Sequence, residues 1–453
     1  CPAGHASGLY GLENCEDPSF QCQEGFFAAE PGATECSSCE VGRSQAEKGS
    51  RTCSLCPEAH YQDETGSQDC KMCQSYLPAS TCGRGAVNAS ECHCPAGTLH
   101  KLSGESWTCA GCPEGLECLG GESEPLHVPG FWAEAVDETS REYEVFRCRD
   151  VLQCPSGPIS SCQFGREGRA CSSCKVGYFR GDGGRCEVCG GVDYVPIVLL
   201  ALALVVGTTC AAIFFRNDPT KQSLTMMTVL ATAGQLVTVM QTMGVLRQLS
   251  VSWVEPIKSI LSLTSLLTFN LDVIKISCFM PKDDPLAKFV LQLLFYPIAV
   301  MGLACVYLVL KVAKKAVPLD NMFNFNGLFL MAMYISLSLM VLLPFQCVSN
   351  PGGKTFSMST NPGVLCWTDG SHVAMAVLAV FGVIAYPLTI FCWILFTTIQ
   401  YPARISSGLG LQTLKRYNFL FNRFKPDVYF YGCLMLFRNF LAALIPVALV
   451  GVP

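Results

Sequence analysis

Residues 22–39 read CQEGFFAAEPGATECSSC, residues 39–56 read CEVGRSQAEKGSRTCSLC, and residues 56–73 read CPEAHYQDETGSQDCKMC. Each stretch has the pattern C-x13-C-x2-C, so the cysteines that bound these repeats recur every 17 residues. A module of this size has almost no hydrophobic core, and covalent bonds take its place. The pattern therefore predicts an array of small, disulfide-stapled modules.

The chain has two parts of opposite composition. Residues 1–193 contain 22 of the 29 cysteines and 28 acidic against 14 basic side chains, whereas residues 194–453 contain 8 acidic and 17 basic side chains and a series of long apolar runs. We predict a small disulfide-rich repeat array, loop-rich with short β-hairpins, followed by an all-α transmembrane helical bundle. The expected domains are cysteine-rich repeats at 1–120, a membrane-proximal cysteine-rich module at 121–193 and a multipass transmembrane domain at 194–453.

The cysteines of the first part are even in number and allow as many as eleven disulfides there. Zinc knuckles or a redox motif are the alternative interpretation of the C-x2-C pairs. An array that leads into a membrane span lies in an oxidising compartment, which favours disulfides, although the sequence leaves their connectivity open. The cysteines predicted to form disulfides are Cys22, Cys36, Cys39, Cys53, Cys56, Cys70, Cys73, Cys148, Cys154, Cys162, Cys171, Cys174, Cys186, Cys189, Cys347 and Cys366.

Other features of the first part allow finer predictions. Residues 94–112 resemble one more module with an extra residue, and Asn88-Ala89-Ser90 is a glycosylation sequon. Trp132 is either an exposed contact site or, as we expect, the large core residue of a small domain. Tyr178 and Phe179 are expected to rest on the bilayer surface or on the helices.

Seven apolar runs of ~20 residues or more are each long enough to cross a membrane. Basic side chains at 311–315 and 404–425 place those loops in the cytosol, and the loop 346–371 belongs outside. These placements conflict with seven crossings, so we predict that 256–279 is a re-entrant or interfacial segment. Seven full spans are the alternative, and they would place both basic loops outside, against the preference of Lys and Arg for cytosolic loops. The runs are 194–215, 223–246, 256–279, 288–313, 326–345, 372–399 and 428–450.

Polar residues inside these runs are candidates for functional sites. Asp272 and Lys275, one helical turn apart, either neutralise each other as an ion pair or contribute to a cation path. Arg438 is expected to pair locally or reach the headgroups, and Gln235 and Gln241 complete the set. No catalytic signature is found, so we expect no enzyme and no cofactor. The acidic first part argues against nucleic acid.

The chain begins at Cys1 and its last residues lie in an apolar run, so we expect it to be a portion of a larger protein.

The C-x13-C-x2-C modules resemble the ephrin-receptor-like cysteine-rich repeat of the growth-factor-receptor cysteine-rich superfamily. The stretch CQFGREGRACSSCKVGYFRGDGGRCEVC, at 162–189, resembles the module that ends such arrays in large multipass proteins of protists and algae. The stretches TVLATAGQLVTVMQTMGVL and LTSLLTFNLDVIKISC are similar to the membrane domain of that family, which is related to TRP-like (polycystin-like) channels. The resemblance implies an architecture; no kinase domain accompanies it.

The leading expectation is a multipass protein of the plasma membrane or another surface membrane, the ciliary membrane included. A rigid ectodomain would couple ligand, adhesion or force, through residues 186–189 and the first span at Tyr194, to a membrane domain that is a cation channel or channel subunit. The alternatives are a structural anchor or adhesin without conductance and a seven-helix receptor that signals through the loop 400–427. Expected partners are the lipid bilayer, an extracellular protein or glycan, and further subunits in a homo- or hetero-oligomer.

Overall fold

The computed structural model describes residues 1–9, 15–137, 139–181, 185–190, 195–216, 224–247, 254, 257, 275–278, 284–313, 317–408, 410–421 and 424–449. Most of the predicted re-entrant segment 256–279, including Asp272, lies outside these residues. The chain divides into two compact units, Cys1–Phe146 with Cys154–Ser161 and Arg147–Gln153 with Cys162–Pro453. Short antiparallel hairpins precede a helical part, as the sequence predicts.

The first unit begins with modules built on a hairpin of two short strands, each two residues long, and each module is closed by one disulfide. The cysteine that opens each module bonds the cysteine 14 residues later, in Cys22–Cys36, Cys39–Cys53 and Cys56–Cys70. Cys1–Cys15 has the same separation and forms a first module that the sequence analysis did not identify. The hairpins are β1 (Phe26–Phe27) with β2 (Ser37–Ser38), β3 (Arg43–Ser44) with β4 (Ser54–Leu55), and β5 (His60–Tyr61) with β6 (Lys71–Met72).

Successive modules are joined by main-chain hydrogen bonds in a repeating pattern. Gly25 N–H donates to the Gln45 carbonyl at 2.7 Å, and the equivalent Gly42 N–H donates to the Gln62 carbonyl at 2.8 Å. A Cβ at Gly25, whose φ is +82°, would collide with the carbonyl of Gly66 two modules further on. A glycine is therefore required here both for its conformation and for the close approach of neighbouring backbone.

After the fourth module the disulfides become less regular. Cys94–Cys109 closes the expected module with one extra residue, and Cys112–Cys118 follows it. The fifth module is closed by Cys73–Cys92 and leaves Cys82 free, while Cys189 bonds Cys278 in the helical part. Residues 1–193 therefore hold fewer disulfides among themselves than the maximum of eleven, because Cys82 is free and Cys189 finds its partner in the helical part.

The rest of the first unit has longer strands around a small core. Trp132 is buried and packs against Phe146 at a centroid distance of 5.8 Å, which confirms the prediction that it is a core residue. A single helical turn, α1 (Cys73–Tyr76), precedes these strands. The strands are β7 (Thr98–Ser103) paired with β8 (Ser106–Gly111), β11 (Phe131–Asp137) paired with β12 (Glu142–Arg147), and the sheet of β9 (Leu116–Glu117), β10 (Leu126–His127) and β13 (Gly157–Pro158).

The second unit begins with two further hairpins and continues as helices. Its strands are β14 (Arg166–Glu167), β15 (Ser173–Cys174), β16 (Tyr178–Arg180) and β17 (Cys186–Val188), then β18 (Cys347–Ser349), β19 (Phe356–Met358) and β20 (Asn361–Leu365). Its helices are α2 (Val195–Arg216), α3 (Leu224–Arg247), α4 (Pro285–Val312), α5 (Leu319–Leu342), α6 (Gly370–Val383), α7 (Thr389–Ser406), α8 (Gly410–Arg416), α9 (Asn418–Phe421) and α10 (Tyr431–Ala448).

Within the described part of the chain, four helical stretches are long and apolar enough to cross a membrane: Pro285–Val312, Leu319–Phe345, Gly370–Ser406 and Tyr431–Ala448. The third contains α6 and α7, joined without a break by a π-helical turn, Ile384–Leu388, that includes Pro387. Helix α5 is the central one, and its second half from Tyr334 to Leu342 is buried throughout. It begins seven residues before the apolar run that predicted it, because its first turns are polar yet packed.

Candidate functional site: the membrane-proximal junction

We use the name junction for three segments of the second unit: the C-terminal part of the membrane-proximal module (162–189, called the module below), and the exterior loop (347–369) and residues 275–278, each of which contacts it. In the module, Cys162–Cys171 and Cys174–Cys186 each close one hairpin. Phe179 of β16 is buried, whereas Phe164 is exposed and meets the edge of Tyr178 at 6.1 Å. The module is therefore a covalently held unit with one face packed inward.

A disulfide closes the exterior loop, and hydrogen bonds of His372 attach it to the start of α6. Cys347 bonds Cys366, and β18, β19 and β20 form one antiparallel sheet. The ring of His372, which has no solvent exposure, accepts the Trp367 N–H at Nδ1 (3.1 Å), so its Nε2–H donates to the Pro344 carbonyl at 3.0 Å. One imidazole thus connects the end of the loop, α6 and the turn after α5.

The membrane-proximal module contacts the exterior loop through an ion pair and close backbone packing. The Arg169 guanidinium lies 3.6 Å from the Asp369 carboxylate, which also accepts the Leu365 N–H at 2.8 Å. Gly363 of β20 lies against the Ser172 hydroxyl and the Arg169 carbonyl, and a Cβ there would collide with Ser172. Because Asp369 directly precedes α6, the ion pair joins the module to the N-terminal end of a candidate span.

Two more hydrogen bonds extend this contact just before the module. The Arg147 N–H donates to Asn350 Oδ1 at 3.4 Å, and the Arg149 guanidinium donates to the Thr360 carbonyl at 3.2 Å. Asn350 is buried and donates in turn to the Ser357 hydroxyl at 2.8 Å. The module and its N-terminal flank therefore contact several points of the exterior loop.

The third segment of the junction is covalently attached. Cys189, the last cysteine of the module, bonds Cys278 across 89 residues of sequence. The Lys275 ammonium lies 4.0 Å from the centroid of the buried Phe179 ring, a cation–π contact. Phe179 therefore packs on residues 275–278, and Lys275 lies in the junction.

The remaining predicted site residues are separate from the junction and from one another. Gln235 is exposed on α3, whereas Gln241 is buried with its Nε2 3.9 Å from the Met333 sulfur. Arg438 donates to the neighbouring Asn439 Oδ1 at 2.9 Å, the local pairing expected for it. Asn88 is exposed, and its Oδ1 accepts the Ser90 N–H.

A polar cluster at the other end of α5 was missed by the sequence analysis. Asp320 pairs with Arg416 at 2.6 Å, and Asn324 Oδ1 accepts the Phe419 N–H at 2.8 Å. Asn321 donates to the Phe215 carbonyl at 3.0 Å. The spacing of Asn321 and Asn324 on one helical face was the available signal. The cluster holds α8 and α9 against α5, about 36 Å along the helix axis from the exterior loop.

Two groups of described residues have the side chains of a metal site: Cys73, Cys82 and Cys92, and Cys347, Cys366 and His372. In each group two cysteines form a disulfide, so neither offers three ligands. The junction instead joins the disulfide-closed module to the helical part, by a disulfide to Cys278 and an ion pair to Asp369.

A comparison with known protein families supports the identification of the cysteine-rich repeats. The family model described as tyrosine-protein kinase ephrin type A/B receptor-like matches residues 42–92, which belong to the third, fourth and fifth modules. No curated protein matches the chain. The protein therefore has an ephrin-receptor-like cysteine-rich region and helices able to span a membrane, and the disulfides indicate an extracellular placement of that region.

Proposed function

We propose that the protein is a multipass cell-surface receptor or sensor in which a stiff cysteine-rich ectodomain transmits ligand binding, adhesion or force to the membrane helices. The junction carries this proposal. A module attached only through the chain at residue 190 would pass little motion to the helices. Cys189–Cys278 and Arg169–Asp369 add two attachments, to the segment before α4 and to the start of α6. Both would respond to a displacement of the module.

This route differs from the first-span route expected from the sequence. Residues 191–194, which precede α2, lie outside the described residues, so the contact at Tyr194 stays a prediction. The described contacts favour α4 and α6 as the receiving helices, because Cys278 lies seven residues before Pro285 and Asp369 directly precedes α6.

The junction also supports the predicted topology. A disulfide requires its two cysteines on the same side of the membrane, so Cys278 lies on the side of Cys189. If α2 enters and α3 leaves, the segment 256–279 then begins and ends outside, as a re-entrant segment does. Seven crossings would put Cys278 on the opposite side. This observation disfavours the seven-helix receptor that signals through the loop 400–427.

We propose cation conduction as the output, by the chain itself or as a subunit of a homo- or hetero-oligomer. The resemblance of residues 228–246 and 263–278 to TRP-like membrane domains supports it. The proposed location is a surface membrane, plasma or ciliary, with an extracellular protein or glycan as the ligand. We propose no enzymatic activity, and the channel would require no cofactor.

The alternative is an anchor or adhesin for an extracellular coat, filament or complex. The hydrogen bonds that join successive modules favour it, because a stiff array also serves a purely mechanical attachment. The two functions differ at the junction: a sensor needs the Arg169–Asp369 contact for its output, whereas an anchor needs only the covalent attachment.

Single-channel recording tests the proposal. The longest natural form of the protein, reconstituted in liposomes, should give unitary cation currents that respond to membrane tension or to ectodomain antibodies. R169A and D369A should each reduce that response at unchanged folding. K354A, which removes an exposed lysine of the same loop, is the control. Silence of the folded protein across voltages and tensions would overturn conduction and favour the anchor.

A further inference from the structure

The fifth module contains a third cysteine beside its disulfide. Cys73–Cys92 closes the module, and Cys82 is a free thiol with 3% of its surface exposed. This module lies where the 17-residue repeat ends, between the regular array and the module closed by Cys94–Cys109. Its disulfide therefore closes the module at which the regular 17-residue repeat gives way to less regular modules.

The three sulfurs are in contact. Cys82 Sγ lies 3.0 Å from Cys73 Sγ, and all three Sγ atoms lie within 4.8 Å of one another. The Cys82 thiol also donates to the His60 carbonyl at 3.3 Å. Exchange between a thiol and a disulfide requires the attacking sulfur to reach a disulfide sulfur, and the Cys82 sulfur already contacts that of Cys73.

We propose that Cys73, Cys82 and Cys92 form a thiol–disulfide exchange centre with two interconverting disulfide isomers. The Cys82 thiolate attacks Cys73 Sγ, the Cys73–Cys82 bond forms, and the Cys73–Cys92 bond breaks. Cys92 leaves as a thiolate and takes up the proton that Cys82 released. One disulfide and one thiol are present before and after the step, so no oxidant or reductant is consumed.

The exchange changes what the disulfide holds. In the Cys73–Cys82 isomer the disulfide joins cysteines 9 rather than 19 residues apart in sequence. Residues 83–92 are then no longer inside the loop that the disulfide closes. Gly85 of this segment donates its N–H to the Cys56 carbonyl, as Gly49 does to Cys22 and Gly66 does to Cys39 in the earlier modules. The new isomer therefore loosens the array at this position. The exchange itself does not depend on the proposed sensor function.

The surroundings set the rate of exchange. Burial raises the pKa of the Cys82 thiol, and the Glu91 carboxylate raises it further. Tyr61 of β5 packs in the same cluster, and Glu91 is the charged group facing from the turn Ala89–Glu91. The thiolate is thus the minor form near neutral pH, and the exchange rate should rise about tenfold per pH unit while the thiol predominates.

Trypsin separates the two isomers in the intact protein. Cleavage after Lys71, Arg84 and Lys101 yields peptide 72–84 with Cys73 and Cys82, and peptide 85–101 with Cys92 and Cys94. The Cys73–Cys92 bond links the two peptides, whereas the Cys73–Cys82 bond closes peptide 72–84 on itself and leaves Cys92 free. Samples held at pH 6 or pH 8 are alkylated in denaturant, deglycosylated and digested without reduction at pH 6.

We expect wild-type protein to yield the internally bridged peptide 72–84 with alkylated Cys92, forming about 100-fold faster at pH 8 than at pH 6. C82S should lose this peptide, and C92S should form the Cys73–Cys82 bond. C433S, which removes another buried free thiol with Thr398 as its partner, should leave the map unchanged. Wild-type protein that yields only linked peptides with alkylated Cys82 at both pH values overturns the proposal.

Discussion

The repeat array and the helical part are stabilised in different ways. In the array the most buried positions are cysteines, such as Cys39 and Cys56, and the modules meet through backbone hydrogen bonds. In the helical part large side chains of α5, such as Tyr334 and Leu337, are among the most buried positions. The array should therefore be sensitive to changes of cysteine and glycine, and the helices to changes of side-chain volume.

The largest effect is expected from removing one staple of the array. C39S breaks Cys39–Cys53, and loss of a disulfide from a small domain costs about 2–5 kcal/mol. We expect the third module to unfold at 37 °C, measured as loss of amide protection in residues 39–53 by hydrogen exchange. C305S removes an exposed free thiol of α4 and should change nothing. Equal protection in the two variants would mean that the module contacts suffice.

The contacts between modules can be tested with two glycines. G32A adds a methyl group in open space at a φ of +85°, so only backbone strain of about 1–2 kcal/mol is expected. G25A adds the same strain and a collision with the Gly66 carbonyl, for which a further ~1–3 kcal/mol is reasonable. The thermal unfolding midpoint of the ectodomain signal in the full chain should fall more for G25A. Equal shifts would show that the modules move apart at little cost.

The corresponding test in the helices concerns volume. Gly327 of α5 lies against the Phe419 ring, so G327V should cost about 1–3 kcal/mol by overpacking. G302V makes the same change on α4, where none of the described residues lies within 4 Å of the added Cβ. The difference between the two variants in thermal unfolding in detergent isolates the packing of α9 on α5. A destabilised G302V would show that the α4 face is covered by another chain.

The same contrast explains how much could be predicted from the sequence. The hairpin modules follow from a local period, and the helices from their apolar runs. Cys189–Cys278 and Arg169–Asp369 join residues far apart in the chain, so no local pattern indicates them. The helix α5 was predicted too short because Asn321 and Asn324 are polar, although their hydrogen bonds are made within the protein. The junction is formed by residues that are distant in sequence and close in the fold, so neither composition nor a local repeat predicts it.

One signal in the sequence was overlooked. Seven modules carry glycine three residues after their first cysteine, all at positive φ, whereas the fourth module has Ala59 at a φ of +64°. The glycines are Gly4, Gly25, Gly42, Gly97, Gly115, Gly165 and Gly177.

The smallest expected effect follows from this exception. A left-handed conformation costs an L-residue about 1–2 kcal/mol. Glycine removes this strain, but part of the gain in stability is lost because glycine gives the unfolded chain more conformational freedom. A59G should therefore stabilise the fourth module by about 0.5–1 kcal/mol. Slower hydrogen exchange in residues 56–70 would show it, with A79G, also at positive φ but outside the C-x-x-G position, as the control. A79G lies in the fifth module and should leave the exchange of residues 56–70 unchanged. If A59G speeds that exchange, the Ala59 methyl group packs favourably enough to outweigh the strain.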